Sequence, residues 1–158
     1  IGPCAAKKLE ASRRSVRSDV DFVVTFEELQ AMFDAKEIDL SQYEAESSFH
    51  DATGAGRGYA CAGGVAEAIE KCINEYYPDV EVSIEHAEGL AECKKTLTLA
   101  KAGRLNGCLI EGMGCPGGCI AGAGTNIPVL KAKKDLAAYV KNSTTPIPPK
   151  ELEEIELE

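Results

Sequence analysis

From Gly64 to Tyr77 the apolar residues Val65, Ala68, Ile69, Cys72, Ile73 and Tyr76 return every three or four positions, which places them on one stripe of a helix ended by Pro78. Leu90 to Ala102 repeats the stripe with Leu90, Cys93, Leu97 and Ala100, and Gly103 closes it. Between them, Val80 to His86 alternates as a strand does. Asp21-Phe22-Val23-Val24-Thr25 and Cys108-Leu109-Ile110 are short apolar runs of strand type. Thr25 then caps a helix predicted from Phe26 to about Ala35, with Glu27 and Glu28 in its favourable first turn. A last helix is predicted over roughly Val129 to Val140. Ile1-Gly2-Pro3-Cys4 reads as the end of a buried strand whose earlier residues are missing, with Lys7 and Lys8 at a helix start beyond it. Asp39 to Gly58, carrying Ser47, Ser48, His50, Asp51, Gly54 and Gly56, reads as a long polar loop. Strand and helix thus alternate about three times. That order predicts an α/β fold, a mostly parallel sheet flanked by helices with right-handed crossovers, over residues 1–142. Residues 143–158 read as a Pro-rich linker and an acidic tail.

Length and composition narrow the class. A chain of 158 residues, 44% hydrophobic, suits one domain with a core. Its net charge of -9 argues against non-specific nucleic-acid binding, and five of those charges are Glu151, Glu153, Glu154, Glu156 and Glu158. No apolar run approaches the ~20 residues of a membrane helix and no signal peptide opens the chain, so a cytoplasmic protein with no membrane partner is expected. Seven cysteines, an odd number scattered through helical patterns, do not make a secreted disulfide framework. Some of those thiols are therefore free or bound to metal.

The candidate chemistry lies in Glu111-Gly-Met-Gly-Cys-Pro-Gly-Gly-Cys-Ile-Ala-Gly122, directly after a predicted strand. Gly112 to Gly117 formally matches G-x-G-x-x-G, but Pro116 has no N–H to offer a pyrophosphate and the two thiols stay unexplained. Metal binding by Cys115 and Cys119 together with Cys4 accounts for more. Glycines leave room for an inorganic cluster and let backbone N–H groups point at its sulfurs. A structural zinc site favours the tighter C-x2-C pair, and a packing role for Cys4 stays open on spacing alone. In parallel sheets, ligand sites lie beyond the carboxyl ends of the strands, so Cys4 and the Cys115/Cys119 pair are expected to converge on one edge. Cys72, Cys93 and Cys108 fall on core positions, whereas Cys61, at a glycine-rich helix entrance, is ambiguous. His50 and His86 have no partner at a ligand spacing, and Arg13, Arg14 and Arg17 read as a solvated turn.

Ile1-Gly2-Pro3-Cys4-Ala5-Ala6-Lys7-Lys8-Leu9-Glu10 resembles the second signature of iron-only (FeFe) hydrogenases, P-C-x-x-K-x-x-E. Glu111 to Gly122 resembles the third, E-x-M-x-C-x-x-G-C-x-x-G, and Asp19 to Leu29 and Gly58 to Ile69 also look like that family. The resemblance implies the C-terminal lobe of the domain that holds the H-cluster, a 4Fe-4S cubane joined through one cysteine to a di-iron unit bearing CO, cyanide and a dithiolate. It implies Cys4 and Cys115 as cubane ligands and Cys119 as the shared cysteine. By the same resemblance Lys7 hydrogen-bonds a cyanide, Met113 packs against the di-iron unit and Glu10 sits in the polar shell around it. The implied reaction interconverts H2 with protons and electrons, and the implied partners are the N-terminal remainder of the hydrogenase and an electron carrier such as ferredoxin.

Three departures accompany the resemblance. The first signature, T-S-C-C-P, is absent, so the isolated chain is expected to be a fragment without a complete site. Gly2 stands where Met is usual, and Gly122-Ala-Gly-Thr-Asn126 where G-G-G-x-P is usual. Both substitutions resemble the sensory branches of the family. The alternative reading is a non-catalytic iron-sulfur binding or assembly protein related to hydrogenases, with a bare zinc or redox module as a third.

Overall fold

A computed structural model describes residues 1–17, 19–44 and 51–150. Ser47, Ser48, His50 and the acidic tail from residue 151 lie outside the described residues. In chain order the helices and strands are α1 (Ala6–Ala11), α2 (Phe26–Ala35), α3 (Gly54–Arg57), α4 (Gly64–Tyr76), β1 (Ser83–Glu88), α5 (Leu90–Lys101), β2 (Cys108–Met113) and α6 (Val129–Lys141). The class is α/β. β1 and β2 run parallel, joined by α5, in a register from Ser83 opposite Cys108 to Glu88 opposite Met113. β2 runs beyond its apolar run to Met113, whereas β1 is shifted, leaving out Val80 to Val82 of the expected Val80 to His86 and ending at Glu88, because the ladder pairs Ser83 to Glu88 with Cys108 to Met113.

The stretch Asp21 to Thr25 is not a strand, and neither is the run ending at Cys4. They meet in one isolated parallel bridge between Gly2 and Thr25, with the Gly2 N–H donating to the Val24 carbonyl at 3.0 Å. Thr25 is the N-cap of α2, so the partner segment turns into a helix at once and the ladder ends there. The predicted loop from Asp39 is also interrupted: Thr53 caps α3, its Oγ1 accepting from the Gly56 N–H at 3.0 Å.

The buried apolar residues among those described are all alanines, Ala55, Ala66, Ala68, Ala87 and Ala132. They sit on α3, α4, β1 and α6, where small side chains let backbones approach closely. Residues 143–148 close over this cluster. The Gly54 and Ala55 N–H groups donate to the Thr145 and Pro146 carbonyls at 2.8 and 2.9 Å, and the Tyr76 hydroxyl donates to the Pro148 carbonyl at 2.7 Å. Large apolar side chains stay outside, with Phe22 86% and Leu130 84% exposed. The accessible surface is 12295 Å² at 16.8 kDa, against about 7,700 Å² for a compact monomer of that mass.

Candidate functional site

The parallel pair delivers the cysteine loop. β2 ends at Met113, so Cys115 stands two residues beyond the carboxyl end of a strand and Cys119 opens a single 3-10 turn, Cys119–Ala121. Four residues before Cys115, the buried Glu111 carboxylate lies at the N-terminus of α4. It accepts from the Gly63, Val65 and Ala66 N–H groups at 2.6, 3.0 and 3.4 Å, and His86 Nδ1 lies 3.2 Å away. These donors have no partner inside the helix, and the helix dipole favours an anion there. Glu111 thereby fastens the start of α4 to the strand that carries the cysteines.

The turn before α4 in its turn supports the loop. The Ala62 N–H donates to the Gly117 carbonyl at 3.2 Å, and the Gly118 N–H closes onto the Cys115 carbonyl at 2.9 Å. Gly118 adopts φ 91° and ψ -168°, a backbone region reserved for glycine. A Cβ there would stand 2.4 Å from the Ala62 nitrogen and 2.6 Å from the Ala60 carbonyl oxygen. The loop is held by backbone against backbone, which leaves its thiols uncovered: Cys115 is half-buried and Cys119 exposed.

The first residues of the chain reach the same loop. The Gly124 N–H donates to the Pro3 carbonyl at 2.9 Å, and a Cβ at Gly122 would approach that oxygen to 2.5 Å. This sets the half-buried Cys4 beside the loop that follows Cys119. Cys4, Lys7, Glu10, Val16 and Phe22 border a hollow of about 320 Å³. Lys7 is ion-paired with Glu10. That hydrogen bond and then the Glu10 charge raise the Lys7 ammonium above the ordinary lysine value against desolvation, with a smaller pull in the same direction from Cys4 and Cys119 when ionised. Reciprocally, the hydrogen bond from Lys7 and then its charge hold the Glu10 carboxyl below the usual range. Cys119 also borders a largely apolar groove of about 620 Å³, with Pro3, Phe26, Ile120 and Leu136.

Cys4, Lys7 and Glu10 thus border one hollow, and Cys119 borders the groove that Pro3 also lines. Met113 and Cys115 stand at the end of β2, and no hydrogen bond among the described residues joins them to Lys7 or Cys4. Among the described residues no three His, Cys, Asp or Glu side chains come close enough to hold a single metal ion. Cys4, Cys115 and Cys119 are unbridged thiols beside a glycine-lined loop, residue types that could hold an iron-sulfur cluster. A Cβ at Gly2 would meet nothing within 4 Å, so the fold itself does not demand glycine there. Sequence reasoning missed Glu88 and Glu111, which hold the loop. The available signal was an acidic residue carried on from the apolar run Cys108 to Ile110.

Comparison with known proteins places the chain in a family. Residues 1–123 match the family described as iron only hydrogenase large subunit, C-terminal domain. The periplasmic Fe hydrogenase large subunit of Nitratidesulfovibrio vulgaris is 29% identical over 159 residues, covering 78% of this chain and 37% of that protein. The NADP-reducing hydrogenase subunit HndD of Solidesulfovibrio fructosivorans is 28% identical over 185 residues, covering 93% of this chain and 31% of its own length. Iron hydrogenase 1 of Clostridium pasteurianum is 28% identical over 157 residues, covering 78% of this chain and 27% of that protein. The chain spans about a third of the length of these relatives. No helix among the described residues is long and apolar enough to cross a membrane. With most of its length matched, the chain belongs to the iron-only hydrogenase large subunit family, as a C-terminal domain.

Proposed function

We propose that this chain forms the C-terminal lobe, residues 1–142, of the H-cluster domain of an iron-only hydrogenase. When bound, the H-cluster supplies the chemistry, reversible H2 oxidation and proton reduction. In this reading Cys4 and Cys115 hold the 4Fe-4S cubane, and Cys119 holds both the cubane and the di-iron unit. Lys7 donates a charge-assisted hydrogen bond to an anionic ligand of the di-iron unit, which fixes that unit in place. Met113 lies against it, and Glu10 keeps Lys7 protonated and aimed.

What supports the reading is that Cys4, Lys7 and Glu10 border one hollow, and that Pro3, next to Cys4, is tied by its carbonyl to the Gly124 N–H in the loop that follows Cys119. Gly2, which the fold does not require, removes a side chain beside Cys4 and favours a sensory rather than a fast-turnover member. The partners in this reading are the rest of the large subunit, which brings the fourth cubane ligand, and an electron carrier such as ferredoxin. All seven cysteines are free, which supports a reducing, cytoplasmic setting, although one relative is named periplasmic.

The test is an infrared spectrum of the full-length protein matured anaerobically with the hydrogenase assembly machinery. Bands of metal-bound CO and cyanide are expected, and Cys119→Ser should remove them while leaving part of the cubane. A cubane without such bands in the parent would move the assignment to a non-catalytic iron-sulfur binding or assembly protein.

A further inference from the structure

The turn between β1 and α5 touches the cysteine loop at three points. The Gly89 N–H donates to the Met113 carbonyl at 2.8 Å. A Cβ at Gly89 would lie 3.5 Å from Pro116 Cγ, so the turn fits closely against that ring. The Glu88 carboxylate accepts from the Gly117 N–H at 2.6 Å, a short bond between an ionised acceptor and the middle of the Cys115 to Cys119 loop. Glu88 is itself held in place: its own N–H donates to the Glu92 carboxylate at 2.9 Å, and it stands opposite Met113 in the parallel register.

A surface glutamate ordinarily stays in water, since water solvates it as well as any neighbour does. Here the carboxylate folds back on a glycine amide in the one loop that carries two of the candidate cluster ligands. Two consequences follow from elementary electrostatics. The Gly117 N–H is committed to Glu88 and is not offered to a cluster sulfur. In addition, a negative charge sits within a few residues of Cys115 and Cys119 and opposes the arrival of an electron there.

We propose that Glu88 is a positioning residue that fastens the Cys115 to Cys119 loop through the Gly117 amide and, through its charge, lowers the reduction potential of the cluster bound there. The part about potential rests on the hydrogenase reading above, whereas the fastening does not. The experiment compares Glu88→Gln and Glu88→Ala in the full-length protein by iron content, redox titration of the cluster signal, and hydrogen exchange of residues 115–119.

In Glu88→Ala the Gly117 amide should exchange at least about tenfold faster, the equivalent of one lost hydrogen bond. Glu88→Gln keeps an acceptor of the same size, so exchange should stay near the parent value while the potential rises. Unchanged exchange in the alanine variant overturns the fastening. An unchanged potential in a fully loaded glutamine variant overturns the effect of charge. A parent that takes up no iron would refute the hydrogenase reading instead, and the exchange rates would still decide whether Glu88 holds the loop.

Discussion

The two halves that supply the candidate ligands are held in different ways. The loop with Cys115 and Cys119 is clamped from three sides by β2, the Ala60 to Ala62 turn and the β1–α5 turn, with the buried Glu111 and the carboxylate of Glu88 as its pins. The segment with Cys4 and Lys7 is held by one isolated bridge, the Gly124 to Pro3 hydrogen bond and the exposed contacts of Lys8 with the Val23 carbonyl and Glu28, and its six-residue helix has no buried residue.

That contrast is broken most directly at Gly118. Gly118→Ala must place a methyl group against the Ala62 nitrogen and Ala60 carbonyl while forcing alanine into a glycine-only conformation. The expected cost is about 3 to 5 kcal/mol, read as a lower denaturation midpoint with fast exchange confined to residues 60–63 and 113–122. Next comes Glu111→Ala, which leaves the Gly63 and Val65 amides without their acceptor in a buried site. We expect a loss of about 2 to 3 kcal/mol and faster thiol modification of Cys115, with Cys4 unaffected. If Cys4 reacted faster as well, the two halves would be mechanically coupled and the contrast would fall.

On the N-terminal side the expected effects are smaller. Thr25→Ala removes the capping box at α2, in which Thr25 Oγ1 accepts from the Glu28 N–H at 3.2 Å and Glu28 accepts from the Thr25 N–H at 2.9 Å. About 1 kcal/mol should be lost, with no change in exchange at residues 115–119. The Glu28 carboxyl is held below its usual range, first by the Lys8 hydrogen bond and then by the Thr25 amide. Its contribution is therefore present above the ordinary carboxylate range and fades as pH falls through the lowered value. A Glu28→Gln deficit that did not shrink on acidification would contradict that account.

The same division governs what could be read from the sequence. α2 begins at Phe26 as predicted, because its capping box is spelled within four residues, and α4, α5 and α6 form where they were expected, although on α5 the striped Leu90 and Leu97 are exposed and Thr96 is buried. The strand expected at Asp21 to Thr25 failed for want of a ladder partner, and the ends of β1 and β2 were set by each other instead of by apolar runs. Within the site, Cys115 and Cys119 announced themselves by type and spacing, whereas Cys4 and Lys7 stood out only through the family signature they resemble. Glu88 and Glu111 did not, because their partners are backbone amides 29 and at least 45 residues away, and an amide has no letter in the sequence.

The smallest expected effect on stability is at Lys7, and it separates holding the chain from holding a cofactor. The Lys7 and Glu10 side chains are 60% and 45% exposed, so water screens their pairing and Lys7→Met should leave the denaturation midpoint almost unchanged near neutral pH. The Glu10 carboxyl is depressed by Lys7, so whatever the pair contributes is present above the ordinary carboxylate range and lost as pH falls through the lowered value. Lys7 is raised, so its share persists below the ordinary lysine value and is lost only as pH climbs through the raised one. Across the neutral range both groups are charged and the pair is intact. Met keeps the length and apolar stem of Lys but removes the charge, so the variant should fold normally and take up a cubane while losing the infrared bands of a di-iron unit. A variant that kept those bands at parental intensity would show that the cation serves only its neighbour Glu10, and Lys7 would then drop out of the site.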